Sequence, residues 1–334
     1  MLKDLFNRPI SDLRISVTDR CNFRCPYCMP AEIYGERYKF LPKNQVLSFE
    51  QITRIAKVFA NLGVSKIRLT GGEPLLRQDL DSLVAMLFEI PEIEDIALTT
   101  NGYLLTRYAE KLYQAGLKRI TISLDTIDEK IFKEMNGVNA QLSTVLQGID
   151  LVEKLGFNPI KINTVVQKGK NDKNILELAE FIKSRGHILR FIEYMDVGNL
   201  NGWDKSEVVP SSNIVEMLDN KFGIEPIEKQ YINEVANRWK YKDDSGEIGF
   251  ISSVSEPFCG NCSRIRLSTD GKLYTCLFSD IGFDLKPILI DKEDTLLMQK
   301  ISDLWSNRSD RYSQERFNNK NRTTKKIEMY AIGG

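Results

Sequence analysis

Three cysteines near the start of the sequence have the spacing of an iron–sulfur site. They are Cys21, Cys25 and Cys28, which form a C-x3-C-x2-C pattern. Three thiolates on one short loop can bind three irons of a cubane cluster and leave the fourth iron without a protein ligand. An open iron can chelate a small molecule, whereas a structural zinc site is closed by four ligands. The pattern therefore indicates an open-sided cluster, and a zinc knuckle completed by a distant residue is the weaker alternative.

A second group of three cysteines lies late in the sequence, at Cys259, Cys262 and Cys276. Arg264 and Arg266 stand between the second and third of these cysteines, and on a strand their side chains would point the same way. Two guanidinium groups beside an open-sided cluster indicate a planar or phosphorylated anion as ligand. A zinc ribbon that lacks one ligand, or two exposed arginines on a solvated strand, are the alternatives for this group alone.

The elements that must position these groups repeat along the first two thirds of the chain. Short β-like runs alternate with amphipathic helical patterns, which predicts a parallel sheet with right-handed crossovers. Six βα units are too few for a closed eight-stranded barrel, so we expect an α/β fold that is a partial, open six-unit βα barrel. The predicted strands are 13–18, 66–70, 95–100, 118–125, 160–166 and 188–194, and the predicted helices are 49–62, 80–88, 106–114, 142–155 and 174–183.

The predicted strands alternate between apolar and polar residues. In the first strand Leu13 and Ile15 share one face, and Arg14 and Ser16 share the other. If the apolar faces pack on the helices, the polar faces line the barrel and make its interior polar and partly cationic. An antiparallel sheet with one wet face would give the same alternation, but the intervening helices make it the weaker interpretation.

The alternation of predicted strands and helices ends at about residue 199. A loop is predicted over 199–209, a helix over 211–222, β-rich sequence as far as 277 and a more helical tail from 291. We therefore predict two units. Residues 1–198 form the partial barrel with the first cluster, and residues 199–334 form a smaller β-containing extension that carries the second cluster and closes the barrel mouth.

Composition excludes several classes of protein. The 334 residues carry a net charge of zero, so neither nucleic acid nor an anionic membrane is predicted as a partner. No secretory signal and no run of about 20 apolar residues is present, which predicts a cytoplasmic protein without a membrane span. His187 is the only histidine, which excludes most His-rich zinc sites, and we expect it to be a loop residue without a catalytic role.

Residues 14–30, RISVTDRCNFRCPYCMP, together with GGEP at residues 71–74, resemble the radical S-adenosylmethionine superfamily. The resemblance implies a 4Fe–4S cluster on the first three cysteines, with the methionine part of S-adenosylmethionine on its open iron. One-electron reduction then cleaves the sulfonium to methionine and a 5′-deoxyadenosyl radical. Glu73 can accept a hydrogen bond from an ammonium group. By the same resemblance, the cofactor is contacted by Tyr27, Gly72, Ser123 and Met195.

The late cysteines, the Arg-x-Arg pair and a terminal Gly-Gly, taken with the first motif, resemble the GTP 3′,8-cyclase family over essentially the whole chain. The resemblance implies a second 4Fe–4S cluster that binds the guanine of GTP. The radical removes the ribose C3′ hydrogen, and C3′ joins C8 to give 3′,8-cyclo-7,8-dihydroguanosine 5′-triphosphate, in the first step of molybdenum cofactor biosynthesis. The implied nucleotide contacts are Arg14, Arg68, Thr99, Lys161, Arg264 and Arg266, and position alone adds Lys66 and Arg190 as weaker candidates.

The resemblance also implies roles for the tail and for other proteins. Gly333 and Gly334 would insert toward the active site and be needed for the radical chemistry. Cyclic pyranopterin monophosphate synthase would act downstream, an electron donor would reduce the first cluster, and the enzyme would be a homodimer. Two alternatives stay open from the sequence: a radical S-adenosylmethionine enzyme that modifies a peptide with an auxiliary cluster, and a zinc-dependent nucleic-acid-binding protein.

Overall fold

The computed structural model describes residues 2–231, 233–291, 293–317 and 326–333. Six strands of its sheet lie parallel and in chain order, as the alternating pattern predicts. Each strand pairs with its sequence neighbour because the intervening helix returns the chain to the same end of the sheet. The six strands are β1 (Asp12–Ser16), β2 (Lys66–Thr70), β3 (Asp95–Thr100), β4 (Arg119–Ser123), β5 (Ile160–Val166) and β6 (Ile188–Glu193).

The helices of the crossovers bury their apolar faces against this sheet. The first is fixed at its start by a capping box, in which the Ser48 side chain accepts from the Gln51 N–H and the Gln51 side chain accepts from the Ser48 N–H. The helices are α1 (Phe49–Asn61), α2 (Leu80–Phe88), α3 (Leu105–Gln114), α4 (Glu129–Asn136), α5 (Leu142–Lys154), α6 (Ile175–Ser184) and α7 (Ser211–Phe222).

The C-terminal extension adds strands to both edges of the same sheet. β10 (Arg264–Leu267) pairs in parallel with β1, and β9 (Glu247–Ile251) pairs in parallel with β6. The described residues thus form one sheet in the order β12-β11-β10-β1-β2-β3-β4-β5-β6-β9-β8-β7, which is not closed. The prediction of an open partial barrel is confirmed. The remaining strands are β7 (Ile224–Pro226), β8 (Asn237–Tyr241), β11 (Lys272–Tyr274) and β12 (Phe283–Asp284).

The tail of the described chain is helical, as predicted. It contains α8 (Lys286–Leu289), α9 (Asp294–Ser306), α10 (Tyr312–Glu315) and α11 (Met329–Ile332). Trp305 on α9 is fully buried in the main core, which ties the tail to the barrel. Among the described residues, no helix combines the length and the apolar character that crossing a membrane requires.

Candidate functional site

A single cavity inside the open barrel collects the polar faces of the strands. The apolar residues of these strands belong to the buried core, as for Leu13, Ile15, Ile67 and Leu69. The alternation in the sequence therefore separates the residues that face the core from those that face the cavity. The predicted site residues that line the cavity are Arg14, Cys21, Cys25, Tyr27, Cys28, Arg68, Gly72, Thr99, Ser123, Lys161, Met195, Cys259, Cys262, Arg264, Arg266 and Cys276, together with Lys66, Glu73 and Arg190.

The two cysteine triads lie toward opposite ends of neighbouring strands. Cys21 follows the carboxyl end of β1, whereas Cys262 precedes the amino end of β10. β10 is parallel to β1, with Asp12 beside Arg264. Asp12 and Ser16, the two ends of β1, are four residue steps apart, which is roughly 13 Å at about 3.3 Å per step. The two triads therefore lie about this distance apart along the strand direction. A ligand that spans this length could contact both triads from within one cavity.

The loop of the first triad is held by Arg24 and by the GGEP segment. The Arg24 guanidinium donates to the carbonyl of Cys21 at 2.7 Å and to that of Tyr34 at 2.6 Å. The Gly72 N–H donates to the Thr18 carbonyl at 2.8 Å, and a Cβ on Gly72 would overlap the Arg20 carbonyl. Glycine is needed here because the two loops approach through their backbones. These contacts fix the loop through its backbone groups.

Glu73 is a buried carboxylate on the cavity wall. Its Oε1 accepts from the Thr100 hydroxyl at 2.7 Å and from the Leu75 N–H at 3.0 Å, and its Oε2 accepts from the Asn101 N–H at 2.8 Å. Burial nevertheless outweighs these donors and raises the pKa of Glu73 to about 7. A cationic ligand would therefore be favoured beside it, as expected of a carboxylate that accepts from an ammonium group.

The sulfur groups fit clusters better than they fit single metal ions. In the described part of the chain, no three Cys, His, Asp or Glu side chains are placed to hold one ion. Each cysteine of a cubane binds a different iron, whereas zinc ligands must converge on one centre. Burial raises the pKa of Cys21 to about 12, with the Glu73 charge adding to the effect. Iron bound at this site would supply the positive charge that a buried thiolate requires.

Asp125 is a site residue that the motif analysis did not single out. The Tyr27 hydroxyl donates to its Oδ2 at 2.7 Å, and the Val165 N–H donates to its Oδ1 at 2.8 Å. Burial raises the pKa of Asp125 to about 6. The carboxylate thereby fixes the ring of Tyr27 beside the first triad. Asp125 continues the polar face of the predicted strand 118–125, two residues beyond the end of β4, but its partner lies 98 positions away.

Three arginines stand side by side across the sheet and form what we call the cationic row: Arg266 on β10, Arg14 on β1 and Arg68 on β2. Adjacent strands are only about 4.8 Å apart, so these like charges repel. Burial, followed by the charges of Arg266 and Arg264, lowers the pKa of Arg14. The Nε atoms of Arg14 and Arg68 are buried without a hydrogen-bond partner in the described structure. Such a row is stabilised by a bound polyanion.

Lys161 on β5 faces the same cavity and is 8% exposed. Burial, with the charges of Arg190 and Arg119, lowers its pKa to about 7. Above pH 7 the free protein therefore loses this charge, and a phosphate group bound beside Lys161 would restore it by proton uptake. We expect binding of a nucleoside triphosphate at pH 8 to take up about one proton per chain and to weaken by at most about tenfold for each further pH unit.

Calorimetric titration in two buffers of different ionisation enthalpy measures this proton uptake directly. Lys161→Arg is the matched control, since it keeps a cation that stays charged at pH 8, and it should abolish the uptake. Equal proton uptake by the parent protein and by Lys161→Arg would show that another group is responsible.

The tail reaches the cavity wall through Gly333. Arg266 donates to the Gly333 carbonyl, and Gly333 has a φ of +73°. Tyr330 packs edge-on against Tyr34 at 5.1 Å between ring centroids, and its hydroxyl lies 2.8 Å from that of Tyr38. Gly334, the other predicted tail residue, lies outside the described residues. The only histidine, His187, pairs with Glu153 and does not line the cavity.

Comparisons with known proteins were made for the whole chain. The Radical SAM superfamily profile matches residues 15–182, and the Molybdenum Cofactor Synthesis C profile matches residues 187–314. A GTP 3′,8-cyclase of Staphylococcus haemolyticus is 51% identical over 337 residues, covering 100% of this chain and 99% of the relative. The same-named protein of Acidothermus cellulolyticus is 51% identical over 320 residues, covering 94% and 88%.

Among solved structures, Streptococcus suis SuiB bound to S-adenosylmethionine matches with a TM-score of 0.61 at 18% identity, covering 88% of this chain and 68% of that one. SuiB bound to its precursor peptide SuiA matches with a TM-score of 0.60 at 16% identity, covering 90% and 65%. At such identities the likeness concerns the fold alone.

Proposed function

The chain belongs to the GTP 3′,8-cyclase family of radical S-adenosylmethionine enzymes, and we propose on this premise how its cavity is used. The first triad binds S-adenosylmethionine at one end, and the second triad binds GTP at the other. The observation that carries this proposal is that both triads line one cavity with the cationic row on its wall. Each ligand then has its own cluster, and the reacting parts meet between them.

The reaction is the cyclisation of GTP to 3′,8-cyclo-7,8-dihydroguanosine 5′-triphosphate in molybdenum cofactor synthesis. When bound, S-adenosylmethionine and its reduced 4Fe–4S cluster supply the radical chemistry that opens the ribose C3′–H bond. The chain's own residues bind and orient the two ligands.

The proposed roles follow the placement of the side chains. The cofactor contacts are Tyr27, Gly72, Ser123 and Met195, of which Tyr27 is oriented by Asp125. The nucleotide contacts are Arg14, Arg68, Thr99, Lys161, Arg264 and Arg266. Arg68 donates to the hydroxyls of Thr99 at 3.0 Å and Thr121 at 3.2 Å, so its fork is held in place before a phosphate binds.

The organisation of the chain and its partners belong to the same proposal. Residues 1–198 carry the cofactor half of the cavity, and residues 199–334 carry the second cluster and the tail. The enzyme works in the cytoplasm, where thiolate clusters persist, and it acts as a homodimer. An electron donor reduces the first cluster, and cyclic pyranopterin monophosphate synthase receives the product.

The test is an anaerobic assay of the protein reconstituted with iron and sulfide. With S-adenosylmethionine and a strong reductant, 5′-deoxyadenosine and a cyclised guanine nucleotide should form with GTP, and not with ATP or without nucleotide. The selectivity is expected because guanine is the group that binds the second cluster. Slow, equal 5′-deoxyadenosine formation in all three samples would leave the cofactor assignment standing and favour a peptide substrate instead.

A further inference from the structure

A buried ionic cluster lies beside the second triad and is used by none of the roles given above. It consists of Asp4, Arg8 and Arg308, whose side chains are at most 1% exposed. Arg8 Nε lies 2.5 Å from Asp4 Oδ2, and Arg308 Nη1 lies 3.6 Å from the same oxygen. Charged side chains are rarely buried this fully without a specific task, because desolvation is costly.

Both arginines of the cluster reach the backbone of the second triad. Arg8 Nη1 donates to the Cys259 carbonyl at 2.9 Å, and Arg308 Nη1 donates to the Cys262 carbonyl at 2.6 Å. The Trp305 ring lies 4.5 Å from the Arg308 guanidinium, and its Nε1 donates to the Arg8 carbonyl at 3.2 Å. The first residues of the chain and the residues that follow α9 thus hold the turn between these two cysteines through its backbone carbonyls.

The charges beside the second triad are of both signs. Arg308 Nη1 donates to the Cys262 carbonyl, and Arg264 Nη2 donates to Cys262 Sγ at 3.2 Å. Asp310 lies 3.4 Å from Arg308 and adds a negative charge on the Cys276 side, but it is 31% exposed, so water screens its charge more than that of the buried arginine.

We propose that Arg308, held in place by Asp4 and Arg8, is a positioning residue that fixes the Cys259–Cys262 turn and makes the second cluster easier to reduce. The inference rests on the proposed assignment of a cluster to the second triad. Reduction adds a negative charge to a cluster, and nearby positive charge stabilises the reduced state. The bond to the Cys262 carbonyl holds the guanidinium where its charge acts on that cluster.

The test is an anaerobic redox titration, followed by electron paramagnetic resonance, of the full chain with both clusters loaded. In Arg308→Gln, Asp4 keeps its contact with Arg8 and its backbone donors. The second cluster should have a reduced-to-oxidised ratio about tenfold lower at a fixed applied potential, which is a shift of about 59 mV for one electron. The first cluster is the internal reference and should not shift.

Two further variants separate charge from structural support. Arg308→Lys keeps the charge and should titrate close to the parent. Asp4→Asn removes a negative charge and should shift the second cluster the opposite way, a result that mere loosening of the loop would not give. If Arg308→Gln fails to load the second cluster, Asp4→Asn carries the test: an upward shift supports the inference, and no shift or a downward shift overturns it.

Iron content distinguishes a failure of this inference from a failure of the proposed function. A parent protein that binds about four irons per chain has no second cluster, and the proposed assignment is then wrong. A parent with about eight irons and with equal potentials in Arg308→Gln and Arg308→Lys contradicts only the role of Arg308.

Discussion

Replacing Gly333 with alanine should lower the rate of GTP cyclisation by about 100-fold or more, the size of loss that small misplacements near a reacting centre produce. Both clusters should remain bound, because Arg24 holds the loop of the first triad and Arg8 and Arg308 hold the turn of the second. The expected loss is larger than that for any single phosphate contact, since the variant disturbs the end of the tail and its arginine partner together.

The physical reason lies in the backbone and in the space around it. Gly333 has a φ of +73°, which a residue with a Cβ adopts only at a cost, and an alanine methyl would overlap the side chain of Thr70 at the end of β2. The tail would have to move away from the cavity wall. Arg266 would then lose the Gly333 carbonyl and be free to shift within the cationic row.

Gly186→Ala is the matched control for this variant. Gly186 has a φ of +69° and nothing within 4 Å of the position of a Cβ, so it carries the same backbone cost without the overlap. Both variants should unfold slightly earlier than the parent, and only Gly333→Ala should lose cyclisation in a single-turnover assay with iron content measured in parallel. Full activity of Gly333→Ala would remove the tail from the mechanism.

The central strands could be predicted from sequence because their alternation is long and regular. The predicted ranges agree with Lys66–Thr70, Asp95–Thr100 and Ile160–Val166, and the helices Leu80–Phe88 and Ser211–Phe222 also begin and end where predicted. In these elements the apolar period and the flanking turn residues specify the same bounds. Elsewhere the predicted bounds differ by one or two residues, as helix and strand ends commonly do.

Elements that depend on long-range pairing were not predicted. The sheet has eight parallel strands in place of six, because β9 and β10 pair with β6 and β1 across large stretches of sequence. The helix α7 lies between β6 and β9, but β7 and β8 separate it from β9, and no α-helix lies between β9 and β10, so the βα alternation does not signal these two parallel partners. α4 was also missed: it is amphipathic but only eight residues long, and the signals at its ends, the Asp128 cap at its start and Gly137 at its end, were not used.

The same distinction holds for the site. The predicted site residues came from the cysteine motifs, the polar strand faces and the family resemblance, and the structure places the described ones, apart from Gly333, on the cavity wall. Asp4, Arg8 and Arg308 were missed because they act through partners up to 302 positions away. From sequence alone, a buried charged residue that contacts a distant motif cannot be distinguished from a charged residue on the surface. Asp125 was visible as a polar strand residue, but its pairing with Tyr27 was not.

Replacing Arg14 with methionine should weaken GTP binding by about tenfold or more, because one charged hydrogen-bonding partner of the triphosphate is lost. The same variant should stabilise the nucleotide-free protein. Methionine fills a similar volume without charge, and it removes the repulsion that Arg266, Arg264 and Arg68 exert on Arg14. A rise of roughly 2 °C or more in the unfolding midpoint is expected, which corresponds to about 1 kcal/mol in a protein of this size.

The measurements are a GTP titration and a thermal unfolding scan of the loaded protein without nucleotide. Arg107→Met is the matched control, since Arg107 is exposed on α3 and lies outside the cavity. It should change neither GTP affinity nor stability by much, as substitutions of exposed side chains usually have small effects on stability. Lower stability of Arg14→Met would mean that the guanidinium has a partner in the free protein.

Arg14→Met is expected to weaken GTP binding and to stabilise the free protein because the cationic row consists of adjacent like charges. Arg14 lies in register with Arg266 on one side and Arg68 on the other, and its Nε is buried without a hydrogen-bond partner in the described structure. In the described structure Arg266 donates to the Gly333 carbonyl, and Arg68 donates to the Thr99 and Thr121 hydroxyls. Asp12 attracts Arg14, but less than Arg266 and Arg264 repel it, and a bound polyanion would offset the repulsion that remains. A residue that destabilises the empty protein and strengthens the complex is therefore a binding residue, and stability measured without ligand is what separates it from a residue that supports the fold.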